Sequence, residues 1–113
     1  MTTPARGDVW VADLNPTRGH EQAGRRPVLV VSDDVFNRGP ADLVIVLPIT
    51  SMLRPIPSHV RLEPPEGGLK HPSAVLCEAI RSIAKGRLAT RWGAVPAAKM
   101  ATIEDALRIL MRL

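Results

Sequence analysis

The sequence has few of the cysteine and histidine residues that cross-link small secreted domains or bind a zinc ion. Its 113 residues include one cysteine, Cys77, so no disulfide can form within the chain. Common zinc sites need Cys and His residues at short, paired spacings, whereas the three histidines here are scattered. We therefore predict no disulfide scaffold and no metal site. Cys77 lies in the apolar run 73–77, and we interpret it as a small buried hydrophobic residue.

Long apolar segments and nucleotide-binding motifs are absent as well. No apolar run approaches the roughly 20 residues that cross a membrane, and residues 1–6 lack the apolar region of a signal peptide. The chain has no glycine-rich phosphate loop, and no elbow motif supports a Ser-His-Asp triad. We therefore expect a cytoplasmic protein without a cofactor.

Aromatic residues are few, and positive charge is in excess. The only aromatic residues are Trp10, Phe36 and Trp92, so platforms for stacked bases are scarce, and we interpret both tryptophans as core or interface residues. The chain has 15 Lys+Arg against 11 Asp+Glu, a formal charge of +4, and arginine predominates. This balance favours a polyanionic partner such as RNA or DNA, or an acidic protein.

Apolar segments separated by proline and glycine predict a mainly β protein. At 45% hydrophobic residues, the chain has the length and composition of one packed domain, residues 1–113. Five strands are predicted, at about residues 9–14, 27–32, 43–50, 58–63 and 73–83, the last one long and bent. Pro48 has no N–H to donate, so we expect the end of the third strand at an edge or a bulge.

Two helical segments are predicted beside these strands. Asp33 or Asp34 suits the cap of a short helical turn. Near the end of the chain, four apolar residues recur at helical spacing after Pro96, which suits a helix start; they are Met100, Ile103, Leu107 and Leu110. We therefore predict an α+β fold, a small barrel or curled sheet with a C-terminal helix packed on it.

Polar residues follow or precede the buried strands at two junctions. Arg26 stands directly before Pro27, while Thr50 and Ser51 close the third strand. RNA carries its own nucleophile, the 2′-hydroxyl, and can be cut by a group that stabilises the growing charge on phosphate. A guanidinium and a hydroxyl are suitable groups, although residues of these types more often have an ordinary surface role.

The sequence resembles the MazF/PemK family of toxins in a series of ordered motifs that span nearly the whole chain. The first matching segments are Arg6-Gly7-Asp8-Val9-Trp10, Asp13-Leu14-Asn15-Pro16 and Gly19-His20-Glu21-Gln22-Ala23-Gly24-Arg25-Arg26-Pro27-Val28-Leu29-Val30-Val31-Ser32. The later ones are Pro48-Ile49-Thr50-Ser51, Ser58-His59-Val60, Gly67-Gly68-Leu69-Lys70, Ser73-Ala74-Val75-Leu76-Cys77-Glu78 and Arg81-Ser82-Ile83-Ala84-Lys85-Gly86-Arg87-Leu88.

This resemblance implies a fold, an activity and partners. The fold is an SH3-like small barrel of the MazF/PemK/CcdB toxin type with a C-terminal helix, assembled as a homodimer. The activity is sequence-specific, metal-independent cleavage of single-stranded RNA that leaves a 2′,3′-cyclic phosphate and a 5′-hydroxyl. The partner is an antitoxin with a flexible acidic tail. The alternatives are a CcdB-like, non-enzymatic toxin that binds gyrase and an inactive relative that only binds the antitoxin.

The resemblance also implies roles for single residues. It makes Arg26 the catalytic arginine and Thr50 the catalytic hydroxyl, and leaves the general base open. The implied RNA-binding residues are His20, Glu21, Gln22, Arg25, Ser51 and His59.

Three residues need separate interpretation. A structural histidine is the alternative for His59, and we expect Glu78 to pair with Arg81. Ala79 stands where many relatives have a glutamine, so the sequence preference of a relative is not transferred.

Overall fold

The computed structural model describes residues 3–15 and 24–113, which form short antiparallel strands, two helices and the segments between them. The strands are β1 (Asp8–Asp13), β2 (Arg25–Val30), β3 (Leu43–Thr50), β4 (His59–Leu62), β5 (Ser73–Leu76), β6 (Arg81–Ala84) and β7 (Leu88–Ala94). The helices are α1 (Asp34–Asn37) and α2 (Ala97–Met111). Three short 3₁₀ segments lie at Glu66–Gly68, Cys77–Ala79 and Lys85–Arg87. The predicted mainly β fold with a C-terminal helix is confirmed.

The strand β3 is the centre of the sheet. The strands follow one another in the order β4-β5-β3-β2-β1-β7, and β6 pairs with β3 beside this path. On one edge β3 pairs with β2. On the other edge its first half pairs with β6 and its last two residues pair with β5. The sheet therefore brings the ends of β2, β3 and β5 to one place.

The predicted long strand over residues 73–83 is wrong in one respect. The 3₁₀ segment Cys77–Ala79 divides it into β5 and β6, which pair with different parts of β3. Pro48 lies between these parts, since β6 pairing ends at Val46 and β5 pairing begins at Ile49. A residue without an N–H fits this interruption of the ladder, which occurs inside the sheet rather than at an edge strand.

The strand β7 is the element that sequence patterning missed. Only Leu88 of its seven residues is buried, and the others are exposed or half-buried. Without alternating apolar residues, the usual signal of a strand is absent. β7 is held instead by its backbone pairing along β1.

Both faces of the sheet centre are buried. Leu29 belongs to one apolar cluster, which includes Met100 and Ile103 of α2, whereas Val28 and Val30 belong to the other. Successive side chains of a strand point to opposite faces, so the continuous apolar run in β2 follows from burial on both sides.

Burial decides two further predictions. Cys77 is fully buried as predicted, and its burial and the nearby charge of Glu78 raise the pKa of the thiol to about 11. Helix α2 follows Pro96 as predicted, but Leu110 is exposed, so the predicted apolar face is too long. Within the part of the chain that is described, no helix is long and apolar enough to cross a membrane.

Candidate active site

Arg26 and Thr50 are placed by neighbouring antiparallel strands. The register of β2 and β3 pairs Val30 with Val46 and ends with Val28 opposite Pro48. Arg26 is the second residue of β2 and Thr50 is the last residue of β3, and the start of one strand lies beside the end of the other in this antiparallel pair. The two predicted catalytic residues therefore lie at the same end of the sheet.

Thr50 has a well-defined hydroxyl group. Its side chain is only 8% exposed, and Oγ1 accepts a hydrogen bond from the backbone N–H of Met52 at 3.0 Å. Among the described residues, none accepts a hydrogen bond from this hydroxyl. Since a hydroxyl both donates and accepts, Thr50 keeps its hydrogen for another acceptor.

A cavity of about 570 Å³ opens at this end of the sheet. It is lined by Arg26, Pro27, Ile49, Ser51, Gly68, Leu69, Lys70, His71, Ser73, Arg91 and Trp92. Three of these side chains are cationic, and the described lining has no carboxylate. A concave surface with charge of one sign concentrates ligands of the opposite sign, so this cavity suits an anionic ligand.

The predicted site residues are distributed unevenly around the cavity. Arg26 and Ser51 line it, and Thr50 is the chain neighbour of Ser51 without being part of the described lining. Arg25 is exposed and lies outside the lining. His20, Glu21 and Gln22 fall outside the described residues. Their roles in RNA binding stay predictions.

Among the lining residues that were not predicted as site residues, four have a basic or aromatic side chain: Lys70, His71, Arg91 and Trp92. Both tryptophans were predicted to be core or interface residues: Trp10 lies in the core at 6% exposure, whereas Trp92 is 46% exposed, and an interface position for it stays a prediction. The only signal in the sequence was a tryptophan within the polar segment 89–93, which does not indicate a cavity.

His59 belongs to a separate hydrogen-bonded group, which we call the Glu78 cluster (Ser58, His59 and Glu78). His59 Nε2 lies 2.7 Å from Glu78 Oε2, and Ser58 Oγ donates to Glu78 Oε1 at 2.7 Å. The predicted pairing of Glu78 with Arg81 is therefore wrong. None of the three residues is among the described lining of the cavity.

The hydrogen bonds of this cluster control the protonation of Glu78. Partial burial alone would raise the pKa of this carboxyl. The hydrogen bonds from Ser58, from its own backbone N–H and from His59, together with the charge of His59, outweigh burial and lower the pKa. Throughout residues 3–15 and 24–113, the Glu78 cluster included, no three His, Cys, Asp or Glu side chains are grouped as a metal site requires.

Comparison with known proteins agrees with this architecture. Residues 5–111 match the model of a family described as the PemK-like, MazF-like toxin of type II toxin–antitoxin systems. The chain is 37% identical to the endoribonuclease EndoA of Bacillus subtilis (strain 168) over 109 residues, which are 96% of this chain and 94% of that protein.

Solved structures show the same fold. MazF from Deinococcus radiodurans is 30% identical, with a TM-score of 0.87 and full coverage of both chains. An endoribonuclease from a Mycobacterial species, solved in complex with its cognate antitoxin, is 28% identical, with a TM-score of 0.78 over 100% of this chain and 97% of that one. The expected small-barrel toxin fold is thus confirmed, and the chain belongs to the PemK-like, MazF-like family of toxins of type II toxin–antitoxin systems.

Proposed function

We propose that this toxin is an endoribonuclease that cuts single-stranded RNA at the cavity, with Arg26 and Thr50 acting on the cleaved phosphate. The observation that carries the proposal is the placement of these two residues at facing ends of β2 and β3, beside a cavity with three cations in its lining. The names of the relatives support the activity, since EndoA is an endoribonuclease.

The chemistry follows from what the two side chains offer. The 2′-oxygen of the ribose attacks phosphorus, and the bond from phosphorus to the 5′-oxygen breaks. A general base takes the 2′-hydroxyl proton, and a general acid protonates the leaving 5′-oxygen. The products are a 2′,3′-cyclic phosphate and a 5′-hydroxyl, without the need for any further reactant.

Arg26 and Thr50 stabilise the transition state of this reaction. The guanidinium of Arg26 has a fixed fork of donors that matches two phosphate oxygens, and the half-buried position of the residue limits its movement. Thr50 Oγ1 accepts from Met52 and keeps its own hydrogen, which it donates to a phosphate oxygen in the proposed transition state. Donors that are positioned before the charge develops contribute most to such a step.

The same cavity suits the proposed partners. We propose a homodimer in the cytoplasm, where messenger RNA is the substrate. An antitoxin with an acidic tail would be attracted by the cationic lining, and the mycobacterial relative was solved with its antitoxin bound. Ala79 has no hydrogen-bonding side chain and would not read a base at the position where many relatives carry glutamine.

A cleavage assay tests the proposal. Purified wild type is mixed with a long unstructured RNA in EDTA, next to Arg26→Ala, Thr50→Val and the control Arg108→Ala, which removes an exposed helix residue paired with Asp105. We expect each site variant to lose about 100- to 1000-fold in rate, with circular dichroism and thermal unfolding near wild type for Thr50→Val. Arg108→Ala should cut at the wild-type rate.

Two outcomes would contradict the proposal. Full activity in both site variants would remove Arg26 and Thr50 from the mechanism. A wild-type protein that leaves RNA intact but arrests gyrase would establish the CcdB-like alternative instead. Sequencing the 5′-hydroxyl ends of the fragments reads out the cleaved sequence and the product chemistry in the same experiment.

A further inference from the structure

The wall of the cavity contributed by β7 is a β-bulge. Val9 pairs with Gly93 and the next residue, Trp10, pairs with Arg91, so Trp92 is an extra residue in the ladder. In a regular strand, neighbouring side chains point to opposite faces, whereas a bulge redirects them. Here Arg91 and Trp92 both line the cavity. The bulge therefore places a cation and an indole side by side in one site.

The turn Glu66–Gly68, with Leu69 and Lys70 after it, is packed directly against this bulge. A Cβ atom on Gly68, whose φ is +71°, would lie 2.1 Å from the carbonyl oxygen of Trp92. A Cβ atom on Gly93 would lie 2.7 Å from the backbone nitrogen of Gly68. The two backbones approach so closely only because both positions are glycine. This contact fixes Lys70 relative to Trp92.

Arg91 is oriented by a buried carboxylate behind it. Its Nε donates to Asp8 Oδ1 at 3.1 Å. The other oxygen, Asp8 Oδ2, accepts from Trp10 Nε1 at 3.2 Å and from the backbone N–H of Ala5 at 2.9 Å. Asp8 is thus held by three donors and is itself almost fully buried. A guanidinium that is anchored through Nε keeps its terminal NH₂ groups for a second anion.

Lys70 and Trp92 complete the arrangement. Lys70 is exposed, and no described carboxylate lies within ion-pair distance of it. Trp92 is half-exposed although a tryptophan gains much from burial. An accessible indole beside two cations is the combination that binds single-stranded nucleic acid, because every base has a flat face and carries a phosphate.

We propose that Lys70, Arg91 and Trp92 form a subsite for one nucleotide that flanks the cleaved phosphate. The base stacks on the indole of Trp92, and the phosphate of the same nucleotide binds Lys70 and Arg91. This inference rests on the proposed function, in which the cleaved phosphate binds Arg26. Arg26 lines the same cavity, so the subsite lies beside that phosphate. An acidic peptide would bind Lys70 and Arg91 but would give the exposed indole of Trp92 no role. RNA uses all three side chains, so RNA is the favoured occupant.

Binding measurements test the subsite without requiring cleavage. The probe is a short mixed-sequence 2′-O-methyl RNA, which lacks the free nucleophile. Because Trp10 is buried and Trp92 is not, acrylamide quenches mainly Trp92, and we expect bound RNA to protect it. Trp92→Ala should weaken binding by about 5- to 150-fold, and Trp92→Phe should recover part of the loss. Lys70→Ala should make the slope of log affinity against log salt concentration less steep by about 0.7.

Each outcome has a distinct meaning. Unchanged RNA affinity in Trp92→Ala and Lys70→Ala, both at exposed positions, would overturn the subsite even if the wild type cuts RNA. Protection of Trp92 by polyglutamate but not by the RNA probe would also overturn it and assign the cavity to an acidic peptide. If the probe protects Trp92 but the wild type cuts no RNA, the proposed function fails, and the subsite stands only as a nucleotide-binding site that flanks no cleaved phosphate.

Discussion

The cavity and the Glu78 cluster are two polar regions of one small fold, and they treat charge in opposite ways. In the Glu78 cluster a carboxylate accepts hydrogen bonds from Ser58 and His59, so its charge is satisfied within the chain. The described lining of the cavity holds three cations and no carboxylate. A carboxylate with hydrogen-bond donors on both oxygens supports a fold, whereas a concave surface whose lining carries side chains of one charge attracts a ligand. This contrast predicts structural support from the Glu78 cluster and ligand binding at the cavity, while the role of His59 in RNA binding stays a prediction.

The largest expected effect is on stability, when the close contact between Gly68 and Trp92 in the cavity wall is disturbed. Gly68→Ala forces a Cβ atom against the Trp92 carbonyl at a positive φ, and we expect a loss of about 3 kcal/mol in the free energy of unfolding. The matched control is Gly86→Ala, where a Cβ atom meets nothing within 4 Å, and its effect should stay within about 0.5 kcal/mol. Urea denaturation measures both; equal effects would show that the turn yields easily.

The next largest effect is the salt dependence of RNA binding, which is expected at the cavity and not at the Glu78 cluster. If Arg26, Lys70 and Arg91 each form one ion pair with the RNA backbone, the slope of log affinity against log salt concentration is about −2. Raising salt from about 50 to about 200 mM then weakens binding roughly 20-fold. Fluorescence titration with the 2′-O-methyl RNA measures this change. An affinity that is insensitive to salt would mean that the cations do not contact phosphate.

The smallest expected effect concerns the stability that the Glu78 cluster provides. Glu78→Gln should lower the free energy of unfolding by about 1 kcal/mol near neutral pH, an estimate reduced because the side chain is 40% exposed. The pKa of Glu78 is lowered in the folded state from its usual 4.5. The stabilisation is therefore present above about this pH and is lost as the pH falls through the lowered pKa.

The control for Glu78→Gln is Glu63→Gln. Glu63 accepts from Arg61 with both side chains more than half exposed, and such a pair contributes little. Its unfolding free energy should stay close to wild type from pH 7 to about pH 3. If the two variants behave alike across this range, the Glu78 cluster is an ordinary surface contact and the contrast with the cavity disappears.

Buried elements of the fold could be predicted from the sequence more accurately than exposed ones. The prediction for residues 43–50 coincides with β3, because this strand is apolar along its length and is buried in the sheet centre. The strand β7 was missed, because its sequence LATRWGA has no apolar alternation. It is held by backbone pairing with β1, by the Arg91–Asp8 hydrogen bond and by its contact with Gly68. The break at Cys77–Ala79 was missed for a related reason: the apolar run continues through it, and only the change of partner strand sets the end of β5.

The site shows the same division. Arg26 and Thr50 could be named because local motifs carry them, and the register of β2 and β3 agrees with their placement at one end of the sheet. Lys70, Arg91 and Trp92 could not be named, because the cavity brings together parts of the chain that are about twenty residues apart. Glu78 was predicted to pair with Arg81, which is close in sequence. Its hydrogen-bond partners are instead Ser58 and His59, at the start of β4.

By itself, the sequence determined the family, the mainly β fold with its terminal helix and the two residues proposed for catalysis. These features are written in local motifs and in apolar periodicity, which need no knowledge of distant contacts. Only the tertiary structure decided that β7 bulges at Trp92 and that Gly68 packs on the bulge. The reason is that a bulge and a backbone contact depend on pairing between distant segments, and no local pattern of residues encodes such a pairing.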